Sequence, residues 1–240
     1  MSYHQPVEIR SFAFGGPDGD LAGTMSIWEG GFCSSFGALG QVEGSDPAEE
    51  WKLAGPDFEL TFTPGGAVAE LELADAGIRS FHQPSHVHGT VVVDGEERTV
   101  DCAGQRSSRL GGLDGKHFDS LRAVGAWFGD EDGLALLAAR PRRARGHDSE
   151  LLSAVLLEAG VAVPVAEPRL SSTYTGAGVI ARVGLELWIG EEDNQYARRA
   201  AGAALGIGAV SDDPPLRSEL LRMRMRGREG VGVYDLLRAR

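Results

Sequence analysis

Residues 86–114 read HVHGTVVVDGEERTVDCAGQRSSRLGGLD and contain the strongest structural signal in the chain. A β-branched run leads into the pair Asp94-Gly95, and polar and apolar residues alternate beyond it. This pattern predicts a hairpin with a type I′ turn, because that turn needs positive φ at both central residues. The glycine-rich segment 104–115 follows, and it predicts a bend or a change of domain.

Outward from this hairpin, short strand patterns separated by Gly, Pro and Asp cover most of the chain. Their even spacing favours an antiparallel meander. A further hairpin is predicted around Pro64-Gly65-Gly66, between two of these segments. The predicted strands are 7–14, 20–29, 31–39, 58–64, 67–75, 117–129, 133–140, 150–158, 179–189, 197–207, 216–227 and 231–238.

Helix signals are scarce. The best candidate is 47–53, where Asp46 can cap the helix and Pro47 suits its first position. The sequence therefore predicts an all-β fold of antiparallel barrels or sandwiches with one or two short helices. A barrel of about eight strands has room for one small ligand, so an apolar cavity is the expected site.

Composition narrows the function further. The net charge of -12 disfavours nucleic acid and anionic membranes as partners, and no apolar run approaches the roughly 18 residues of a membrane span.

The amino terminus lacks the features of a secretory signal, which predicts a cytoplasmic protein. Cys33 and Cys102 form no CxxC pair, and neither a P-loop nor a nucleophile elbow is present. No cofactor is predicted.

Three segments resemble one known family. GTVVVDGEERTVDCAGQRSSRLGGLD is similar to the junction of the AttH-like, hydroxyneurosporene-synthase-like proteins, where a GTV-VDG hairpin precedes Gly-x-x-Asp-His-Ser-Trp-Gly-x-Arg-Asp. RAVGAWFGDEDGLALLAARP and MRGREGVGVYDLLR also resemble this group. The resemblance implies two lipocalin-like β domains, here 1–105 and 106–240. It also implies an enzyme that hydrates isoprenoid double bonds, cyclises terpenoids by protonation, or folds polyenes for pericyclic ring closure.

The departures from the family motif change the expected chemistry. Ser107 and Ser108 occupy the positions of the Asp-His pair, so the sequence does not support acid-catalysed hydration by that pair. The motif positions that remain are Arg106, Gly111 and Asp114.

The catalytic candidates therefore lie in and just after the junction. A buried carboxylic acid with a raised pKa can protonate an alkene, and a histidine beside it can return the proton. A polar loop whose aspartates cap turns is the alternative interpretation. The candidates are Asp114, His117, Asp119 and Arg106.

Aromatic residues in or beside predicted strands are candidates for an apolar pocket, since indole and phenol rings stack on polyenes and stabilise cations. Core packing is the alternative. An acid neighbours an indole twice, at Glu29 and at Glu186. The candidate lining residues are Trp28, Glu29, Trp127, Tyr174 and Trp188.

His82, His86 and His88 form a further constellation. On an extended strand His86 and His88 point to one face, as in metal sites of double-stranded β-helix proteins, whereas Pro84 is expected to interrupt the strand before His82. No acidic residue stands where such sites place their next ligand. We therefore assign both histidines to the substrate pocket and assign no metal.

Three functions remain. The first is a cofactor-free enzyme that binds an apolar isoprenoid or polyketide intermediate and directs its cyclisation, mainly by holding a reactive conformation. The second is a non-catalytic carrier of a lipid-like ligand. The third is a metal-dependent enzyme that uses His86 and His88.

Overall fold

The computed structural model describes residues 8–16, 21–129, 131–144, 149–190 and 196–239. Within these ranges the chain forms strands β1 to β18 in two antiparallel sheets, and the helical content is one 3-10 turn at Ala74–Ala76. The predicted all-β class is confirmed. No helix in the described part of the chain has the length and apolar character needed to span a membrane.

The N-terminal sheet has nine strands in the order β3-β2-β1-β9-β8-β6-β5-β4, and β7 also pairs with β8. Its strands are β1 (Ile9–Gly15), β2 (Ala22–Trp28), β3 (Gly31–Ser34), β4 (Gln41–Glu43), β5 (Trp51–Gly55), β6 (Phe58–Pro64), β7 (Ala69–Leu73), β8 (Ile78–Val93) and β9 (Glu96–Leu110).

The C-terminal sheet also has nine strands, in the order β13-β12-β11-β10-β18-β17-β16-β15-β14. Its strands are β10 (Phe118–Trp127), β11 (Gly133–Pro141), β12 (Leu151–Glu158), β13 (Val161–Pro164), β14 (Glu167–Tyr174), β15 (Ile180–Ile189), β16 (Tyr196–Asp212), β17 (Pro215–Met225) and β18 (Arg228–Arg238).

The central hairpin forms as the sequence predicts. Val93 pairs with Glu96 across a turn in which Asp94 has φ 54° and Gly95 has φ 81°. The returning strand does not bend at Gly104, however, but continues to Leu110. The two sheets therefore separate between β9 and β10, and the predicted domain boundary at residue 105 stays a prediction.

Two local predictions are wrong. Residues 46–49 form a single turn, in which Asp46 Oδ1 accepts a hydrogen bond from Ala48 N at 2.8 Å, and β5 follows in place of the predicted helix 47–53. Trp51 and Leu53 alternate with exposed neighbours, and both are completely buried. A strand buries this period-two pair on one face, whereas a helix would separate the two side chains.

The predicted hairpin at Pro64-Gly65-Gly66 is also absent. β6 and β7 pair one after the other with the same edge of the long strand β8, and they do not pair with each other. Ala69, Leu71 and Leu73 are buried in a cluster that includes β10 and β11 residues. This contact with the C-terminal sheet holds β7 in line with β6.

In the middle of each sheet both faces are buried, as successive buried residues along β1 and β10 show. Along β1, Phe12 and Phe14 point to the inner face, where they join a core containing Trp51 and Phe62. Ser11 and Ala13 alternate with them and point toward the C-terminal sheet. We call this second face the contact face. Packed side chains fill the inner faces of both sheets, where the sequence had predicted an apolar cavity.

Candidate functional site

Asp114, His117 and Asp119 lie at the surface. His117 Nδ1 is 2.7 Å from Asp114 Oδ2, and Asp114 Oδ1 accepts a hydrogen bond from Lys116 N at 2.9 Å. The bond from Lys116 and then that from His117 lower the pKa of Asp114, so this exposed carboxylate is ionised and is not a proton donor. Asp119 is exposed as well. The geometry favours the polar-loop interpretation, and a catalytic role for these residues stays a prediction.

Arg106 lies in a different place, on the inner face of the N-terminal sheet, and is completely buried. Its Nε and Nη2 donate to Gln83 Oε1 at 3.1 and 2.8 Å, and its Nη atoms donate to the carbonyls of Pro47 and Glu49. Its guanidinium carbon is 5.0 Å from the ring centroid of Trp51. These contacts attach the 46–49 turn to the sheet, which is a structural role.

Replacement of Arg106 tests that role. Arg106→Met leaves Gln83 and the two carbonyls without their donor, so we expect the free energy of unfolding to fall by about 2–4 kcal/mol. Urea denaturation measures the change, with Arg98→Met as the control, since the side chain of Arg98 is half exposed. An equal effect of the two substitutions would contradict the structural role.

The predicted lining residues do not converge on one pocket. Trp127 is buried between the sheets and donates from Nε1 to Gly15 O at 3.3 Å, whereas Trp28 packs over Gly31. Glu29 is exposed in the following turn. Tyr174 Oη is 2.6 Å from Tyr234 Oη, and Trp188 lies on the outer face of the C-terminal sheet beside Glu186. Of these residues, Trp127 lies in the contact between the sheets, and Trp28 is partly buried against a cluster that contains residues of both sheets.

His86 and His88 share a face as predicted, with ring centroids 6.2 Å apart. His86 Nε2 is 2.9 Å from Asp101 Oδ1 at the surface. Across the described ranges, no three His, Cys, Asp or Glu residues are grouped so that they could hold a metal ion. The metal-dependent alternative has no support from this geometry.

A polar row crosses the buried contact face of the N-terminal sheet. Strand pairing places residues from β8, β9, β1, β2 and β3 side by side in one line across the sheet. Asp235 and Ser218 of the C-terminal sheet pair with each other and face this row. We call the buried polar residues at this contact the polar seam: Ser11, Ser26, His82, Gln105, Ser107, Arg109, Ser218 and Asp235.

Hydroxyl groups link the two sheets across the seam. Ser11 Oγ is 2.9 Å from Ser26 Oγ, which is 3.5 Å from Ser218 Oγ. Ser218 Oγ donates to Asp235 Oδ1 at 2.6 Å. A continuous hydroxyl chain therefore connects the N-terminal sheet to a buried carboxyl group.

The N-terminal side of the seam carries donors that lack partners. Gln105 Nε2 is 2.8 Å from His82 Nδ1, so with the amide donating, the proton of the neutral imidazole lies on Nε2. His82 Nε2 is buried without a hydrogen-bond partner, and so are Arg109 Nε and Nη2. Buried polar atoms are nearly always paired, and these are three of the seven unpartnered side-chain atoms among the described residues.

Burial sets the protonation states in the seam. It lowers the pKa of His82 to about 3, with a further lowering from the charge of Arg109, so the imidazole is neutral near pH 7. Burial raises the pKa of Asp235, against the hydrogen bond from Ser218 and the charge of Arg109. It also lowers the pKa of Arg109. A neutral imidazole and a carboxyl group with raised proton affinity thus lie in the same buried seam.

Sequence reasoning missed the seam, although a signal for it was present. In β9, residues 105–109 are all polar, so the sheet has polar side chains on both faces at this point. The family motif directed attention to Arg106, whose side chain points away from the seam. Ser107, at the position of the motif's Asp, is the neighbour of His82 in the polar row.

Two open hollows lie elsewhere on the surface. One, of about 510 Å³, lies on the N-terminal sheet over Phe81 and Leu110 and is rimmed by Glu70, Glu72 and Arg79. The other, of about 560 Å³, lies on the outer face of the C-terminal sheet over Gly184. Both have the volume of a small-molecule site, but neither contains a seam residue.

No protein-family model and no curated protein sequence matches this chain. Solved structures do match its fold. A candidate AttH protein from Nitrosomonas europaea has a TM-score of 0.64 at 12% identity, covering 99% of this chain and 94% of that chain. CghA with Sch210972 has a TM-score of 0.61 at 13% identity, covering 98% and 88%.

Kievitone hydratase from Nectria haematococca has a TM-score of 0.57 at 10% identity, covering 97% of this chain and 89% of that chain. At these identities the matches establish a shared fold over essentially the whole chain. The AttH-like fold that the sequence resemblance implied is confirmed.

Proposed function

We propose that this chain, with its AttH-like fold, is a cofactor-independent enzyme that binds an apolar small molecule at the polar seam and rearranges its carbon skeleton. The fold match supports the small-molecule part of the proposal, since CghA was crystallised with Sch210972 and another match is a hydratase by name. The observation that carries the proposal is the seam itself, where the buried carboxyl group of Asp235 faces a polar row in which donors of His82 and Arg109 have no partner.

The seam residues suit acid-assisted cyclisation. Asp235, when protonated, transfers its proton to an alkene carbon, and the resulting cation is attacked by a second double bond to form a carbon–carbon bond. The carboxylate that remains on Asp235 then removes a proton from the carbon next to the new cation, which leaves a product isomeric with the substrate and restores the acid. The raised pKa of Asp235 suits a group that donates a proton and takes one back.

The surroundings of the seam favour an apolar substrate. Ala13, Trp127, Leu220, Val231 and Val233 form a buried cluster in the same contact between the sheets. The unpartnered donor atoms make no contact with solvent, so entry of a substrate requires the two sheets to separate locally. A low-dielectric site of this kind strengthens the electrostatic effect of each polar group.

Comparative metabolite analysis tests the proposal. Wild type and Asp235→Asn are incubated with an organic extract of the organism that encodes the protein, and the mixtures are analysed by liquid chromatography and mass spectrometry. We expect wild type to convert at least one apolar compound into an isomer of the same mass, and Asp235→Asn to convert it at least about 100-fold more slowly.

Asp114→Ala and His117→Ala are the matched controls, and both should keep wild-type activity because they alter only the exposed loop. Circular dichroism checks that each variant is folded. A compound that co-purifies with the protein and returns unchanged with all variants would instead establish the carrier alternative. Conversion that depends on Asp114 or His117 would contradict the assignment of the seam.

A further inference from the structure

The unpartnered donors of the seam have a definite geometry. Nε and Nη2 of Arg109 form the side edge of the guanidinium group, the edge that binds two coplanar oxygens through parallel hydrogen bonds. His82 and Arg109 lie on the same face, because His82 pairs with Ser107 and Ser80 pairs with Arg109 in the next row. The Nε2–H of His82 is a further unpartnered donor on that face, and the charge of Arg109 acts on the imidazole.

The charge balance of the seam also favours a ligand with negatively charged oxygens. Arg109 is 5% exposed, and within the described residues its Nε and Nη2 have no hydrogen-bond partner. Asp235 interacts with it electrostatically, but the desolvation that raises the pKa of Asp235 favours the uncharged acid. When Asp235 is protonated, the cation of Arg109 is left without a counter-charge in a buried site, where an anion is strongly favoured.

We propose that the ligand of the seam carries a carboxylate, held by the Nε and Nη2 edge of Arg109 and by the Nε2 of His82. This inference rests on the proposed function and specifies its substrate class: an apolar chain that ends in a carboxylic acid. The carboxylate fixes one end of the chain at Arg109, so the double bonds of the tail lie along the contact between the sheets, toward Asp235.

Matched acid and ester probes test this inference. Retinoic acid, farnesoic acid and palmitic acid, each paired with its methyl ester, are titrated into the protein, and binding is followed by quenching of tryptophan fluorescence. The ester keeps the tail but removes the charge and one acceptor oxygen. We expect at least one acid to bind wild type about tenfold or more tightly than its ester.

Variants show which residue causes the preference for the acid over its methyl ester. Arg109→Met should abolish it and Arg109→Lys should retain only a minor part, because an ammonium group lacks the two-donor edge. Arg79→Met is the control, since Arg79 is the cation at the rim of the open hollow on the N-terminal sheet. Circular dichroism shows whether each variant is folded, and the Lys variant keeps the test valid where the Met variant does not fold.

Three outcomes would overturn the inference: no acid binds saturably, each acid and its ester bind equally, or the preference survives in Arg109→Met and is lost in Arg79→Met. These outcomes are distinguishable from failure of the proposed function. Isomerisation of a compound without a carboxylate, dependent on Asp235, would leave the function intact while the carboxylate assignment fails.

Discussion

Wild type is expected to lose stability on acidification from pH 6.5 to pH 3.5, and His82→Asn is expected to lose about 3–5 kcal/mol less over the same interval. Burial lowers the pKa of His82 to about 3, so the native state excludes a proton that the unfolded chain binds near pH 6.5. The stability that this group contributes is complete above pH 6.5 and is lost as the pH falls toward 3. Asparagine does not titrate, and its amide oxygen can still accept from Gln105.

The measurement is urea denaturation at a series of pH values, in which the change with pH is compared between variants. Asp235 acts with the opposite sign, because its raised pKa makes the native state gain stability as pH falls, and it is present in both proteins. His88→Asn is the control, since His88 is exposed and should keep the wild-type dependence. Parallel curves for wild type and His82→Asn would show that His82 is not buried in neutral form.

Gly125→Ala is expected to destabilise the protein by about 1–3 kcal/mol and to disrupt the seam. A Cβ atom at Gly125 would lie 2.2 Å from Oε1 and 2.3 Å from Nε2 of Gln105, because Gln105 reaches across the contact to the backbone of β10. The added methyl group must displace this amide, which would then lose its hydrogen bond to His82.

A double-mutant cycle separates this clash from other effects. Gln105→Ala removes the side chain that the methyl group meets, so Gly125→Ala should cost less in that background, with a coupling of about 1–2 kcal/mol by thermal or urea denaturation. Gly176→Ala is the control, since no atom lies within 4 Å of a Cβ atom there. Additive effects of Gly125→Ala and Gln105→Ala would contradict the predicted contact.

The strands could be predicted from the sequence because each depends on residues that lie close together in the chain. The turn at Asp94-Gly95 depends on the φ values of two residues, and strands such as β15 and β17 depend on alternation within a few residues. Predictions failed where the outcome depends on a distant partner. β5 forms where a helix was predicted, because Trp51 packs against Phe12 and Phe81. β7 pairs with β8 and not with β6, because β7 packs on the C-terminal sheet.

The candidate site was the part least accessible to sequence reasoning. The family motif drew attention to Arg106 and Asp114, but period-two alternation turns Arg106 into the inner core and the loop leaves Asp114 in water. Asp235 lies 153 residues after His82, and no sequence motif connects the two residues. Only the contact between the two sheets brings their faces together.

The sequence by itself determined an all-β chain, its central hairpin and most of its strands, because turn conformation and side-chain alternation are encoded within a few neighbouring residues. The tertiary structure decided which of the two faces of each strand became the inner core and which became the contact between sheets. That choice depends on how two whole sheets pack, and it left the donors of His82 and Arg109 buried and unpartnered opposite Asp235.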